Sequence, residues 1–339
     1  MVQGKSLLDC NALNLLCFIF LSTFVVWYLR YHWRRRHLYL SSWKRSGPFP
    51  LPFVGNALSF VGSTDDILEK IMMVTTKYKS PVPIWFGPKL IFAISEPKDM
   101  ETVMNSPYAL EKQDVYKFVK MFVGEGLFTA SAPTWKRHRK IIMPTLNQNI
   151  LNSFVSIFAK HSDILLEQLE TKAGKGEFDI FSYISNCSLK NLCETAMGIS
   201  VNEETVDSDF IHWTKKAMEI CFKRMVNIWY HSDFIFSISS HSLRCNELLS
   251  KLHNFVGDVV RLKREEYQTK YDEISKRKSF LEHLIKLSEQ STKFNDQELR
   301  DEVVTFMIAG TETNATLISY VFIVLGMYPE IQEKVYQEL

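Results

Sequence analysis

Apolar positions fall into two regimes along the chain. Over residues 12–29 they run almost unbroken, interrupted by Asn14, Ser22 and Thr23. At 1.5 Å of rise per residue, such a run makes a helix of about 27 Å, close to the thickness of a bilayer core. Farther on, apolar residues recur at helical spacing over 65–78, 100–105, 135–143, 149–172, 180–197, 209–231, 241–270, 279–288 and 296–325. A further helix opens at Pro329. Only "PVPIWFGPKLIFAIS" departs from that rhythm: two short apolar runs, 84–86 and 90–94, flank Gly87-Pro88 and predict a β-hairpin. Ser95 is the expected N-cap of the next helix, with Pro97 in its first turn. The pattern therefore predicts a mainly α domain with a small β-sheet, preceded by one N-terminal transmembrane helix.

Charge sets the orientation of that first helix. Only Lys5 precedes the apolar run, whereas Arg30, Arg34, Arg35, Arg36, Lys44 and Arg45 follow it. A cleaved signal peptide would show a basic start, a shorter run and a small-residue cleavage site. The order here predicts an uncleaved anchor with the bulk of the protein cytoplasmic. Next comes "GPFPLPFVGN", whose Pro48, Pro50 and Pro52 forbid a helix and predict a stiff, extended linker. The expected domains are an anchor over 1–29, a basic stop and Pro-rich hinge over 30–56, and one mainly helical domain over 57–339. Residues 263–278, dense in charge, are expected to form a solvated helix end and loop.

Composition narrows the functional classes. A formal net charge of +2 gives no global argument for nucleic acid. Six cysteines, at 10, 17, 187, 193, 221 and 245, form no C-x-x-C pair, so a zinc or thioredoxin-like site has no support. Their wide spacing suits free thiols in a reducing compartment. A helical transporter is disfavoured, because no second apolar span reaches about 20 residues without interruption.

Two stretches carry candidate chemistry. In "FMIAGTETNATLISYVF", residues 306–322, Phe306, Ala309, Gly310, Thr313 and Leu317 share one helical stripe, with Glu312 beside it. Gly310 opens a notch where something small or flat could approach the backbone. Thr313 could offer it a hydroxyl and Glu312 a proton path. The plainer alternative is a core helix that tolerates one glycine and bonds Thr313 back to an upstream carbonyl. In "GEGLFTASAPTWKRHRKIIMPTL", residues 124–146, Trp135 and Arg139 lie four apart on one helix face. An indole N–H and a guanidinium together suit a carboxylate. Lys136, Arg137, His138 and Lys140 add positive charge. The alternative is a solvated basic face with Trp135 as a core anchor.

The ordered set of anchor, basic stop, Pro-rich hinge, hairpin, W-x-x-x-R helix and A-G-x-E-T helix resembles the cytochrome P450 family of haem-thiolate monooxygenases. "AGTET", residues 309–313, is similar to that family's oxygen-activating motif, and "CETAMG" and "LHNFVGDVV" are similar to its microsomal family 4 clan in insects. The resemblance implies a haem (heme) cofactor with its iron. Ala309, Gly310 and Thr313 would lie over the haem, Glu312 and Thr313 would deliver protons during oxygen activation, and Trp135 and Arg139 would hold a propionate. Residues 108–128 would line the substrate pocket. Further implications are a lipophilic small-molecule substrate and electrons from NADPH through NADPH-cytochrome P450 reductase, docked on the basic patch at Lys136, Arg137 and Lys140. The expected location is the endoplasmic reticulum membrane, single-pass.

Three departures qualify that picture. Asn314 stands where the family often has Thr or Ser. Ala309 stands where many family 4 members carry a Glu able to bond covalently to haem, so non-covalent haem is expected. No E-x-x-R helix or Gly-flanked cysteine loop occurs in the 339 residues, so the chain is expected to be incomplete, and by itself neither to bind haem stably nor to turn over, since a thiolate must ligate the iron. A non-catalytic, truncated, membrane-anchored helical protein is the competing expectation. The sequons at Asn186 and Asn314 should carry no glycan if the domain is cytoplasmic.

Overall fold

The structure, a computed structural model, describes residues 3–199, 209–269, 279–290 and 294–338, with the side chains of 3–13 outside that description. The fold is mainly helical, with a single two-stranded sheet among the described residues. The chain divides into two compact units: Met1–Ser106 with Val226–Ile228, and Pro107–Met225 with Trp229–Leu339.

In the first unit the apolar run lies inside helix α1 (Gln3–Arg34), of which Asn14–Arg34 is long and apolar enough to cross a membrane and buries no residue. Its polar interruptions are neutralised locally. Ser22 Oγ donates to Phe18 O at 2.7 Å and Thr23 Oγ1 to Ile19 O at 2.8 Å. The basic stop is not a coil: α2 (Arg36–Trp43) follows after a break at Arg35. That elbow is tied by Tyr39 Oη at 2.8 Å from His32 Nδ1 and by Arg35, which donates to Tyr31 Oη at 2.7 Å.

The Pro-rich segment is not extended either. It turns back on itself in a Leu51–Gly55 bridge, and Gly55 bridges Phe86. Asn56 supplies the reason: its amide donates to Phe49 O at 3.0 Å and accepts from Trp85 N–H at 2.9 Å, with both groups satisfied inside the unit. Strands β1 (Val82–Phe86) and β2 (Lys89–Ala93) pair antiparallel in the register Phe86↔Lys89, with Gly87 at φ +56° in the turn. Helix α3 (Thr64–Lys77) precedes them behind a Ser63–Asp66 capping box. Helix α4 (Pro97–Met104) follows with Glu96, not Ser95, at the N-cap.

The second unit comprises α5 (Lys117–Val123), α6 (Ala132–Ile142), α7 (Gln148–Asn152), α8 (Val155–Glu170), α9 (Ile180–Leu192), α10 (Asp209–Val226), α11 (Asp233–Ser237), α12 (Ser240–Thr269), α13 (Phe280–Gln290), α14 (Asp296–Met327) and α15 (Pro329–Glu338). Val226, the last residue of α10, groups with the first unit. Three expected helices are shorter or broken. The pattern over 149–172 breaks at residues 153–154. That over 180–197 ends in a wider π-turn at Cys193–Met197, closed by Gly198 in the left-handed region. That over 209–231 ends at Val226.

Helix α14 is the centre of this unit. It also passes the length and apolarity test for a membrane span. Its N-terminal half, however, buries Leu299, Asp301, Glu302, Val303, Val304 and Thr305 in the core, under an Asn295–Glu298 capping box. Glycine lets α9 lie close against it: a Cβ on Gly310 would stand 2.9 Å from Leu192 Cδ1. The core also bears on one expectation and corrects another. Helix α5 falls inside the segment expected to line a pocket, yet buries Phe118, Val119, Phe122 and Val123. Lys263, expected in solvent, is buried, while residues 270–278 of that same segment lie outside the described residues.

Candidate active site

The stripe on α14 changes character along its length. Phe306 is half-buried, with its ring stacked on Phe280 at 4.1 Å. Ala309, Thr313 and Leu317 are exposed. Gly310 faces Leu192, so on that side the notch is filled by the protein itself and not by open space. The open side of the stripe is made by Ala309 and Thr313, with Asn314 exposed beside them.

The two proton-bearing groups take different environments. Thr313 Oγ1 donates to Ala309 O at 2.6 Å, the back-bond open to any helical threonine. Asn314 likewise donates to Gly310 O at 2.8 Å. Glu312 is half-buried, and its Oε1 has no partner among the described residues. Burial pushes its carboxyl above the usual carboxylate range, and Lys215 of α10 only partly opposes this. Glu312 and Thr313 are not hydrogen-bonded to each other. Thr311 is buried with its hydroxyl also unpartnered.

That environment fixes a pH dependence. A carboxyl whose folded-state value is raised takes up its proton more readily folded than unfolded. Stability therefore falls as pH rises from the unfolded value, about 4.3, through the raised one. Glu312→Gln removes the charge and keeps the shape. Its thermal midpoint is expected above the parent's at pH 7, with the gap closing below about pH 4. An unchanged gap across that range in a melting series would refute this reading of Glu312.

On α6, Trp135 is half-buried and Arg139 is exposed, with the guanidinium carbon 5.2 Å from the indole centroid. No carboxylate among the described residues lies within ion-pair distance of Arg139. The helix start is held by Glu111, whose carboxylate accepts the Ala132 N–H at 3.2 Å. The expected basic patch is smaller than the sequence suggests. Arg137 is committed to Glu298, and His138 is fully buried, leaving Lys136, Arg139 and Lys140 exposed. Burial acts upward on Glu298, but the Arg137 hydrogen bond, the Asn295 N–H and neighbouring positive charge outweigh it and hold its carboxyl low.

The residues that sequence reasoning missed lie beneath this face. His138 Nδ1 is 2.5 Å from Glu302 Oε1, and both side chains are 0% exposed. Glu302 Oε2 accepts the Leu127 N–H at 3.1 Å, and Asp301 accepts the Glu125 N–H at 2.7 Å. The available signal was weak: Glu302 is the last of a polar run, directly before the apolar Val303 and Val304.

The residues present suit a flat, anionic group. Ala309 and Thr313 expose only small side chains on one stripe, and the Trp135–Arg139 stack offers donors for which the described residues provide no acceptor. They supply no thiolate. Cys193 and Cys221 are buried with thiols pushed up to about 12, and burial pushes Cys245 to about 11. Cys187 is half-buried and raised by burial, Cys17 lies in α1, and the side chain of Cys10 is outside the described residues. A cleft of about 570 Å³ between α12 and α14, lined by His253, Gly257, Asp258, Arg261, Arg300 and Asp301, shares only Asp301 with the site residues named above.

Comparison with known proteins shows the family. The family model for Cytochrome P450 matches residues 46–339. Cytochrome P450 4c21 of Blattella germanica is 34% identical over 338 residues, covering 96% of this chain and 66% of its own length. Cytochrome P450 4c3 of Drosophila melanogaster is 29% identical, covering 94% and 63%. Cytochrome P450 4V2 of Homo sapiens is 28% identical, covering 89% and 61%. The chain thus spans about two thirds of the length of these relatives. Motif order, helical architecture and these matches agree: the chain belongs to the cytochrome P450 family and is of its family 4 type.

Proposed function

We propose that this protein is a haem-dependent monooxygenase that inserts one atom of dioxygen into a lipophilic small molecule. Electrons would come from NADPH through its reductase, docked on the exposed cations Lys136 and Lys140. The observation that carries this reading is the open stripe of Ala309 and Thr313 on the same unit as an Arg139–Trp135 stack without a protein carboxylate. Helix α1 would hold the protein in the endoplasmic reticulum membrane as a single span, with the catalytic part cytoplasmic. The division into an anchor over 1–29, a hinge over 30–56 and a catalytic domain over 57–339 belongs to the same proposal.

Bound haem supplies the oxygen chemistry, and the chain's own residues shape its surroundings. Arg139 and the Trp135 N–H bind a propionate and so orient the ring. Ala309 offers a methyl group and no carboxylate, which leaves the haem held without a covalent bond. Thr313 must turn its hydroxyl away from Ala309 O before it can pass a proton into the site. Glu312 holds its proton to higher pH than a solvated carboxyl and is the donor that resupplies Thr313. That transfer requires a rearrangement or a bridging water, since the two side chains do not touch.

The cysteines present do not supply the iron's thiolate, so residues 1–339 alone are proposed neither to bind haem stably nor to turn over. The test compares this 339-residue chain with one extended to the length of its relatives, both expressed in membranes and reduced under carbon monoxide. The thiolate band is expected only from the extended chain. The same band from the 339 residues would overturn the assignment of the cysteines, and its absence from both would overturn the proposed function. In the loaded protein, Thr313→Ala should lower product formed per NADPH by at least about 100-fold if Thr313 relays the proton.

A further inference from the structure

We infer that Glu302 is a positioning residue, clamping the G-E-G loop at 124–126 and helix α6 to helix α14 and thereby aiming Trp135 and Arg139. The inference rests on the reading above that this pair holds a haem propionate.

One carboxylate makes both contacts. Its Oε1 meets His138 Nδ1 at 2.5 Å, and its Oε2 accepts the Leu127 N–H at 3.1 Å. The two side chains share a single hydrogen bond between His138 Nδ1 and Glu302 Oε1. Neither side chain reaches solvent. A buried pair in this condition is a poor source of net stability, and an apolar pair of similar volume would often hold the fold as well. What an apolar pair cannot do is fix an angle, because dispersion contacts are not directional and hydrogen bonds are.

The geometry identifies which angle is fixed. On α6, His138 is three residues from Trp135 and one from Arg139, so its azimuth sets theirs. The neighbouring Arg137 bonds Glu298, one turn before Glu302 on α14. Two consecutive residues of α6 thus grip two consecutive turns of α14, which excludes both rotation and sliding. Seven residues beyond Glu302, about 10.5 Å along the axis and on nearly the same azimuth, lies Ala309. The α14 face that receives α6 is therefore the face that emerges as the open stripe.

The loop is fitted to the same carboxylates. A Cβ on Gly126 would overlap Thr305 Oγ1, and one on Gly124 would overlap the Asp301 carboxylate. Asp301 in turn accepts the Glu125 N–H and the Gln297 amide, each at 2.7 Å. Glycines at these two positions let the backbone N–H groups between and after them reach the acids of α14.

The test uses the haem-loaded form of the chain extended to the length of its relatives, in detergent, with two readouts other than turnover. One is hydrogen exchange at the Glu125 and Leu127 amides and along α6; the other is the rate at which bound haem passes to an excess of apomyoglobin. Glu302→Gln keeps the shape but leaves one neutral acceptor oxygen where two charged ones stood. It is expected to speed Leu127 exchange and haem loss by roughly 10-fold or more. The double variant His138→Leu/Glu302→Leu, which removes both hydrogen-bonding partners together, should melt near the parent yet lose haem at least as fast. Parent-like haem loss in both variants would overturn the inference. Arg139→Leu separates the two ideas. If it leaves haem retention unchanged, the propionate reading fails first. If it speeds loss while the Glu302 variants do not, the positioning role alone fails.

Discussion

Replacing Lys263 by alanine should destabilise the protein by about 3 kcal/mol or more, the cost of removing one partner from a buried charge cluster. The Lys263 side chain is 6% exposed. Its ammonium donates to Gly198 O at 2.8 Å and sits 2.7 Å from Glu282 Oε1 and 3.1 Å from Glu266 Oε2. Those three partners belong to the turn after α9, to α13 and to α12. Alanine would leave the Gly198 carbonyl without this donor and Glu282 Oε1 without its cation, with the Ser279 N–H still on Oε2 at 3.3 Å. The turn has no room to collapse, because a Cβ on Gly198 would already meet Ser279 Oγ at 2.7 Å. Urea unfolding in detergent should show a lower midpoint with an unchanged slope. A double-mutant cycle with Glu282→Gln should return a coupling within about 0.5–3 kcal/mol. A Lys263→Ala midpoint within about 0.5 kcal/mol of the parent would mean that this lysine is solvated after all.

Phe122→Ala is the second large effect, expected to cost about 3–5 kcal/mol through lost transfer energy and a residual cavity. Phe122 is fully buried on α5, and its carbonyl accepts from His253 Nε2 at 3.0 Å, so the helix is tied down and cannot close over a void. Phe122→Leu, closer in volume, should cost much less. The pair of variants decides between two views of residues 108–128. A pocket-lining loop would show altered substrate preference at normal stability, whereas a core helix shows lost stability in proportion to lost volume.

Much of the architecture was legible in the sequence, for physical reasons. The bilayer-length apolar run, the proline-free helical stretches and the Gly-Pro hairpin turn are local signals, set by 3.6- and 2-residue periods and by φ restrictions. They gave α3, α12, α14 and both strands within a few residues of their observed ends, and the existence, though not the ends, of α1 and α10. W-x-x-x-R and A-G-x-E-T stood out because each places a polar residue where its helix would otherwise be apolar or plainly basic. Family membership was readable from the order of these motifs.

What the sequence could not decide depends on partners far along the chain. The Pro-rich segment reads as extended until Asn56 finds Phe49 O and Trp85 N–H and folds it back. Lys263 reads as solvated until Gly198 and Glu282 surround it. Helix α5 is too short for its period to show, and packing alone makes it core. His138 reads as one more positive charge in a basic run, and only the approach of α14 turns it inward onto Glu302. Local spacing fixes which face of a helix a residue occupies. Which neighbour covers that face, and therefore whether a charge there is solvated, paired or left to receive a ligand, is a property of the assembled core.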